Sequence, residues 1–488
     1  MTGHKTSSLC CLLLITILLA GMKARVPVDE KKILGFISQL ESRAMEGRKS
    51  GESSGRNAEL LIAHLFNQVG LKPGGNSGTY FQEFTFPMMR FESVGILRRL
   101  RNAHLEEMEY SFGDDYFFAP VSSPGHVRAE VVFIGYGLSR PDLGWDDYDG
   151  IDTSGKILLS LSGLPPGDPS KWGRDGSDYI KADQASKHNA LGLLIFDPDV
   201  KESKLPRYRV WSFHPSTLKR GLILARVGRR VVDGLLGSTQ ANIELIKSEI
   251  DGSQRPKPFM TGNQIELKAE IMMDSEREAA NVIGRIEGCD PSLKDEVVII
   301  SGHYDGGGKD PDGVIYNGAN DNASGVGVML EIARAMIESR IRSRRTILFI
   351  AWGAEEQGGY GSKYFLDHPP LALEKIVSAF ILDCVGHGEG KFWLFGAEHF
   401  SEAFKRLREH VDADLISEFR PRAEGGSDQY FFQEKGVISF FVHNVQETAL
   451  GHTPQDDLAH LNVVSLGRAA RFVYAAASFT AEVAAGAE

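Results

Sequence analysis

The C-terminal half of the chain alternates short apolar runs with helical stretches, and the apolar runs end in groups that carry chemistry. Residues 297–301 run into Gly302-His303-Tyr304-Asp305, residues 346–352 into Gly353-Ala354-Glu355-Glu356, and residues 377–382 into Asp383; residues 437–442 form a fourth run. Runs this short, rich in β-branched and aromatic residues, read as strands buried on both faces. Helices are predicted over 325–337 and 464–482. Together these elements specify an α/β fold, a mixed and mostly parallel sheet with helices on both faces. In open sheets of this kind ligands bind beyond the carboxyl ends of the strands, so an imidazole and several carboxylates converge on one crevice.

Two loops add to that set. Residues 318–325, Gly-Ala-Asn-Asp-Asn-Ala-Ser-Gly, put Asp321 just before a helix, and residues 451–457, Gly-His-Thr-Pro-Gln-Asp-Asp, carry His452. Imidazole nitrogen and carboxylate oxygen without thiolate suit Zn²⁺ in a catalytic site, where a coordination position stays open. One metal needs three such ligands; five ligand-type groups and a spare glutamate point to two metals about 4 Å apart with a shared carboxylate. Asp321 is the best candidate for that bridge. Glu355 and Glu356 are neighbours on a strand exit and face different ways, so one can ligate while the other faces a water.

With 488 residues the chain exceeds one core of ordinary size, and 42% hydrophobic against 24% charged residues describes a globular protein. Acidic residues outnumber basic ones 65 to 54, a net charge of -11, which argues against nucleic acid as a partner. The cysteines, Cys10, Cys11, Cys289 and Cys384, are too few for a disulfide framework. At the N-terminus, Lys5 precedes an apolar run over 9–20, shorter than the ~20 residues a spanning helix needs, followed by small residues. Residues 1–24 read as an export signal, placing the mature chain in the periplasm or outside the cell with no integral span; an uncleaved anchor is the alternative.

Helical patterns follow over 33–40 and 60–69, joined by a polar loop at 48–55. Turn-rich, β-type texture then begins, with one helical stretch at 181–190. The expected organisation is 25–115 as the N-terminal part of the catalytic domain, 116–255 as a β-rich insert and 256–488 as the main catalytic segment.

The strings around His303, Asp321, Glu355-Glu356, Asp383 and His452 resemble, in order and spacing, the secreted di-zinc aminopeptidases related to bacterial leucyl aminopeptidase and glutamate carboxypeptidase II. Residues 40–48, 69–73 and 80–82 are similar to the same family. The insert, with Gly135-Tyr136-Gly137 and Asp147-Tyr148-Asp149-Gly150, resembles the protease-associated domain that interrupts many members. The resemblance implies a zinc exopeptidase fold holding two Zn²⁺ per chain and acting on peptides. It implies that His303 and Asp383 hold one zinc, Glu356 and His452 the other, and that Asp321 bridges them. Glu355 would be the general base acting on a metal-bridging water, and Asp305 the carboxylate that orients His303.

Two departures from the family pattern matter. Gly451 stands where many relatives carry a tyrosine that helps stabilise the tetrahedral intermediate, and Cys384 stands where methionine is common. Asp428 and Tyr430 lie where relatives line the substrate pocket, and Tyr430 or His443 is the expected replacement for the missing phenol. For Asp456-Asp457 a solvated turn is expected. A carboxypeptidase, a glutaminyl cyclase and a catalytically silent receptor are the alternatives on the same fold.

Overall fold

In the computed structural model of the chain, the four apolar runs form neighbouring strands of one nine-stranded sheet. The described residues are 27–91, 96–100, 108–119, 122–167, 171–172, 175–198, 221–237, 242–309, 313–340, 342–395, 401–410, 416–420, 427–445 and 450–482. The export signal read at 1–24 lies outside them. Two compact units result: Met1–Phe86 with Glu278–Glu488, and Pro87–Arg277.

Seven of the nine strands of this sheet are β1 (Ile271–Ile286), β2 (Val297–His303), β3 (Thr346–Trp352), β4 (Ile376–Leu382), β5 (Phe392–Phe395), β6 (Ile416–Arg420) and β7 (Ser439–Asn444); Lys72–Pro73 and Phe81–Phe91 pair with β1. Their order is β1-β3-β2-β4-β7-β5-β6. The centre β3-β2-β4-β7 is parallel, whereas β1 and β5 run antiparallel to their inner neighbours. From β2 the chain moves to β3 on one side and then to β4 on the other. The order therefore reverses at β2, and a crevice opens at its carboxyl end.

Burial on both faces explains why these strands lack the alternation of a half-exposed sheet. Val298 and Ile300 of β2, with Ile347 and Phe349 of β3, join one core with Ile33, Ile37, Val326 and Leu466. Ile299, Leu348, Ile350 and Trp352 join a second core with Phe365, Phe431 and Phe432. Helices α1 (Glu30–Leu40), α2 (Ser53–Val69), α3 (Ser324–Glu338) and α7 (Val463–Glu482) thus cover the first face, and α4 (Tyr360–Asp367) and α6 (Gln429–Glu434) the second. Helix α5 (Ser401–His410) adds Leu407 to the first core. Helix α2 stops at Gly70, whose φ of 91° is the left-handed conformation that lets Leu71 N–H return to the Phe66 carbonyl at 2.9 Å.

The second unit is built on an eight-stranded sheet whose central members are Phe259–Ala269, Gly125–Phe133, Ile157–Leu161 and Gly192–Phe196. It begins at Pro87, where the texture had suggested 116, and runs to Arg277, where 255 had been expected. The reason is continuity: strands Phe81–Phe91 and Ile271–Ile286 run through both boundaries with no turn to mark them. Besides the helix Asp178–Lys187 the unit holds Arg229–Leu236 and Ile243–Ser253, which the sequence reading had not separated. The former buries Val231, Val232, Leu235 and Leu236 along one stripe, the helical spacing of an amphipathic segment.

Candidate metal centre

Three of the predicted ligands, with Glu355, sit where a strand hands over to a loop, and the other two sit in loops. His303 is the last residue of β2, Glu355 and Glu356 follow β3, and Asp383 follows β4 directly. Asp321 lies in the loop entering α3, and its peptide bond to Asn322 is cis. His452 lies in the loop after β7. The C-terminal end of the sheet gathers them into two triads, His303-Asp321-Asp383 and Asp321-Glu356-His452, with the ligand atoms of each within 4.8 Å of one another. Asp321 belongs to both. Its Oδ1 is 3.3 Å from His303 Nε2, and its Oδ2 is 3.0 Å from His452 Nε2. His303 Nε2 stands 3.6 Å from Asp383 Oδ1, and His452 Nε2 3.2 Å from Glu356 Oε1. Glu355 belongs to neither triad, its Oε2 lying 3.9 Å from His303 Nε2.

The backbone is strained around this cluster. Ala354, Cys384 and His452 all have φ between 54° and 58°, a region that side chains other than glycine enter only when the surroundings force them. His452 belongs to a triad, Cys384 adjoins Asp383, and Ala354 adjoins Glu355. Cys384 is buried and not in a disulfide.

Supporting contacts differ from the sequence reading in three places. His303 Nδ1 meets the backbone carbonyl of Asp305 at 3.1 Å, whereas the Asp305 carboxylate is 3.7 Å away. That carboxylate instead accepts the backbone N–H groups of Glu355 and Glu356, each at 3.2 Å, and so fixes the exit from β3. Asp456, expected in a solvated turn, is fully buried and accepts the N–H groups of Asn320 at 2.7 Å and Asp321 at 3.0 Å. Its neighbour Asp457 does cap a surface turn, binding Ala459 N–H and His460. Asn322 links the Asp321 loop to β4, donating to the Leu382 carbonyl at 2.8 Å and accepting from Gly325 N–H at the start of α3. Arg48, placed by the sequence in a polar loop, is fully buried.

The charges fit a cation. Burial lowers the His303 imidazole, but Glu355, Asp305, Asp321 and Asp383 outweigh it and hold the ring well above its usual 6.5. Burial raises Asp321, yet His452 and His303 hold it well below the ordinary carboxylate range. Carboxylates thus face imidazole nitrogens, donors that a divalent cation would hold together in place of protons. Asp383 Oδ1 is buried and accepts no hydrogen bond among the described residues. The donors are imidazole nitrogens and carboxylate oxygens, with no sulfur in either triad, the set that suits zinc.

Glu355 is held well above its usual 4.5 by burial, with Asp428, Asp383 and Glu356 adding to the rise and His303 opposing it. Asp428 is fully buried, and burial pushes it to about 7, with Asp305 and Asp383 adding to the rise and His303 opposing it. The other two substrate-side candidates are engaged elsewhere. Tyr430 is 37% exposed on α6 and donates its hydroxyl to Glu434 Oε1 at 2.7 Å, so the phenol runs along its own helix. His443 Nδ1 meets the Asp383 carbonyl at 3.0 Å, a brace for a ligand segment.

Comparison with known proteins agrees with this architecture. The model described as Peptidase family M28 matches residues 281–477. Aminopeptidase YwaD of Bacillus subtilis is 26% identical over 472 residues, covering 94% of this chain and 86% of that protein. A glutamate carboxypeptidase 2 homolog of Caenorhabditis elegans is 32% identical over 320 residues, which span 54% of this chain and only 38% of the relative. Among solved structures, the zinc aminopeptidase BSAP from Bacillus subtilis superposes with a TM-score of 0.57 at 23% identity, covering 93% of this chain and 95% of that one. An aminopeptidase from Aneurinibacillus sp. strain AM-1 gives 0.56 at 20% identity, covering 92% and 93%.

Proposed function

The chain belongs to peptidase family M28, and from that premise we propose that it is an exported zinc aminopeptidase with two Zn²⁺ per chain. The division of Asp321 carries the proposal: its two carboxylate oxygens face different histidines, one in each triad. His303 and Asp383 would hold one zinc, Glu356 and His452 the other, and Asp321 both. Zinc held by these residues would supply Lewis acidity, lowering the pKa of a water to near ~7 and polarising a carbonyl.

The chain's own residues do the rest. Glu355 lies outside both triads at 3.9 Å from His303 Nε2, and its raised affinity for a proton suits a base that takes one from the attacking water and returns it to the leaving amine. Asp305 anchors the backbone at Glu355 and Glu356, holding base and ligand in register. Asp383, Asp428 and Glu355 make the surroundings acidic. Arg48, the buried cation nearby, is committed to backbone carbonyls. A free α-ammonium is therefore favoured over a C-terminal carboxylate, and Asp428 is the residue we assign to the substrate side. Export rests on the apolar run over 9–20; among the described residues no helix is long and apolar enough to cross a membrane. The Pro87–Arg277 unit is read as a protease-associated domain on its Gly135-Tyr136-Gly137 and Asp147–Gly150 strings.

The test is a panel of aminoacyl p-nitroanilides, each with a free and an N-acetylated amine, assayed with and without chelator. Hydrolysis of the free-amine substrates alone, abolished by chelator and restored by zinc, is expected. Hydrolysis of blocked substrates at equal rates, or indifference to chelator, would overturn it.

A further inference from the structure

The loop that carries Asp321 is held from both sides by buried charges that come from opposite ends of the chain. Arg48 is fully buried and spends its guanidinium on main-chain carbonyls: Nε donates to Tyr304 at 2.7 Å, Nη1 to Leu40 at 2.9 Å and Asn317 at 2.7 Å, and Nη2 to Gly318 at 2.8 Å. Asp456, also fully buried, takes the opposite pole of the following peptides. Its carbonyl accepts Ala319 N–H at 3.1 Å, its Oδ1 accepts Asn320 N–H at 2.7 Å and its Oδ2 accepts Asp321 N–H at 3.0 Å. Two successive carbonyls, of residues 317 and 318, therefore point to a cation, and three successive N–H groups, of residues 319, 320 and 321, point to an aspartate.

Buried backbone groups must be paired, and here two charged residues answer for five in a row. The loop is too tight for other solutions. Gly318 has φ of 57°, and a Cβ there would stand 2.2 Å from the Asp321 carbonyl oxygen and 3.0 Å from Arg48 Nη2. Arg48 also grips the carbonyl of Tyr304, next to His303, and Asp456 lies four residues beyond His452 in the same loop. Between them they tie the segments bearing His303, Asp321 and His452 to one another.

We propose that Arg48 and Asp456 are paired positioning residues, which orient the peptides of residues 317–321 so that the Asp321 carboxylate is presented to both triads at once. Neither contributes an atom to a triad. Lysine cannot replace Arg48, because its three donors on one nitrogen do not match four carbonyls spread around a planar fork.

This inference rests on the metal reading above, and calorimetric titration of the chelator-treated full chain with Zn²⁺ separates the two. Wild type taking up fewer than two equivalents contradicts the metal reading. With two equivalents established, Asp456→Asn and Arg48→Lys are expected to stay folded by circular dichroism and to bind Zn²⁺ about 10–100-fold more weakly at both sites in parallel, the usual effect of losing a residue that orients a ligand. Unchanged affinities in a folded variant, or weakening confined to one site, would overturn the pairing. Asp456→Asn is isosteric and decides the matter if the Arg48 variant does not fold. Should Asp456→Asn also fail to fold at saturating Zn²⁺, the residue serves the fold and not the position of Asp321, and the proposal fails.

Discussion

Replacing Glu355 by glutamine isolates the one step in which the protein itself handles a proton. The substitution preserves shape, and the backbone of residue 355 stays fastened by Asp305 Oδ1 at 3.2 Å. Glu355 supplies no atom to either triad, so zinc content should not change. What is lost is the ability to accept a proton beside His303, in a position where burial and three neighbouring carboxylates make a carboxylate unusually basic. Removing a positioned general base costs typically 10²–10⁴-fold, which at about 1.4 kcal/mol per tenfold is roughly 3–5 kcal/mol of barrier. Steady-state kinetics on a free-amine anilide, run beside elemental analysis of the same preparation, measures both halves of the statement. The expected result is a fall in kcat of that size with wild-type zinc and little change in KM. A variant within about fivefold of wild type would refute the assignment, as would one that had lost its zinc.

Glu356→Gln should behave differently, because Glu356 Oε1 lies 3.2 Å from His452 Nε2 within the second triad. About one equivalent of zinc should remain; retention of both would remove Glu356 from the ligand set. A third expectation concerns the Pro87–Arg277 unit. Lys181 is fully buried, donates to the Leu161 carbonyl at 2.6 Å and is lowered by burial from 10.5 to about 7, with Asp178 and Asp147 opposing the shift. Between those two values the folded chain binds fewer protons than the unfolded one. Stability should therefore rise with pH across that window, by up to about 1.4 kcal/mol per pH unit. Urea denaturation of the full chain at pH 7.5 and 9.5 reads this slope. Lys181→Met should flatten it, and an equal slope in the variant would assign the effect elsewhere.

The predicted ligands His303, Glu356 and Asp383 were legible because each stands at or just beyond the end of a strand whose apolar pattern is unmistakable, and strand ends on one side of a parallel sheet must meet; Asp321 and His452 stand in loops at the same end. Residues whose roles depend on long-range contacts were not. Arg48 sits in a stretch that looks like surface loop, and its partner carbonyl at Tyr304 is 256 positions away. Asp456 and Asp457 are identical side chains in one turn, yet one is buried under the Asp321 loop and the other caps a surface helix, a difference set by which way the turn faces. Tyr430 had the right chemistry for the phenol missing at Gly451, but one turn of helix carries its hydroxyl to Glu434. No signal in the sequence gives that direction. His303 found a carbonyl where a carboxylate was expected, since Asp305 is turned toward the β3 exit.

The shared carboxylate is the centre of the account, and zinc stoichiometry in Asp321→Ala tests it most directly. Wild type, reconstituted after chelation and analysed by mass spectrometry of the metal, should carry two zinc ions per chain. Because Asp321 Oδ1 faces His303 and Oδ2 faces His452, the variant should fall well below one, having lost a ligand from both triads together. A wild type that never exceeds one zinc, or an Asp321→Ala chain that keeps one of two at full affinity, would contradict the shared centre.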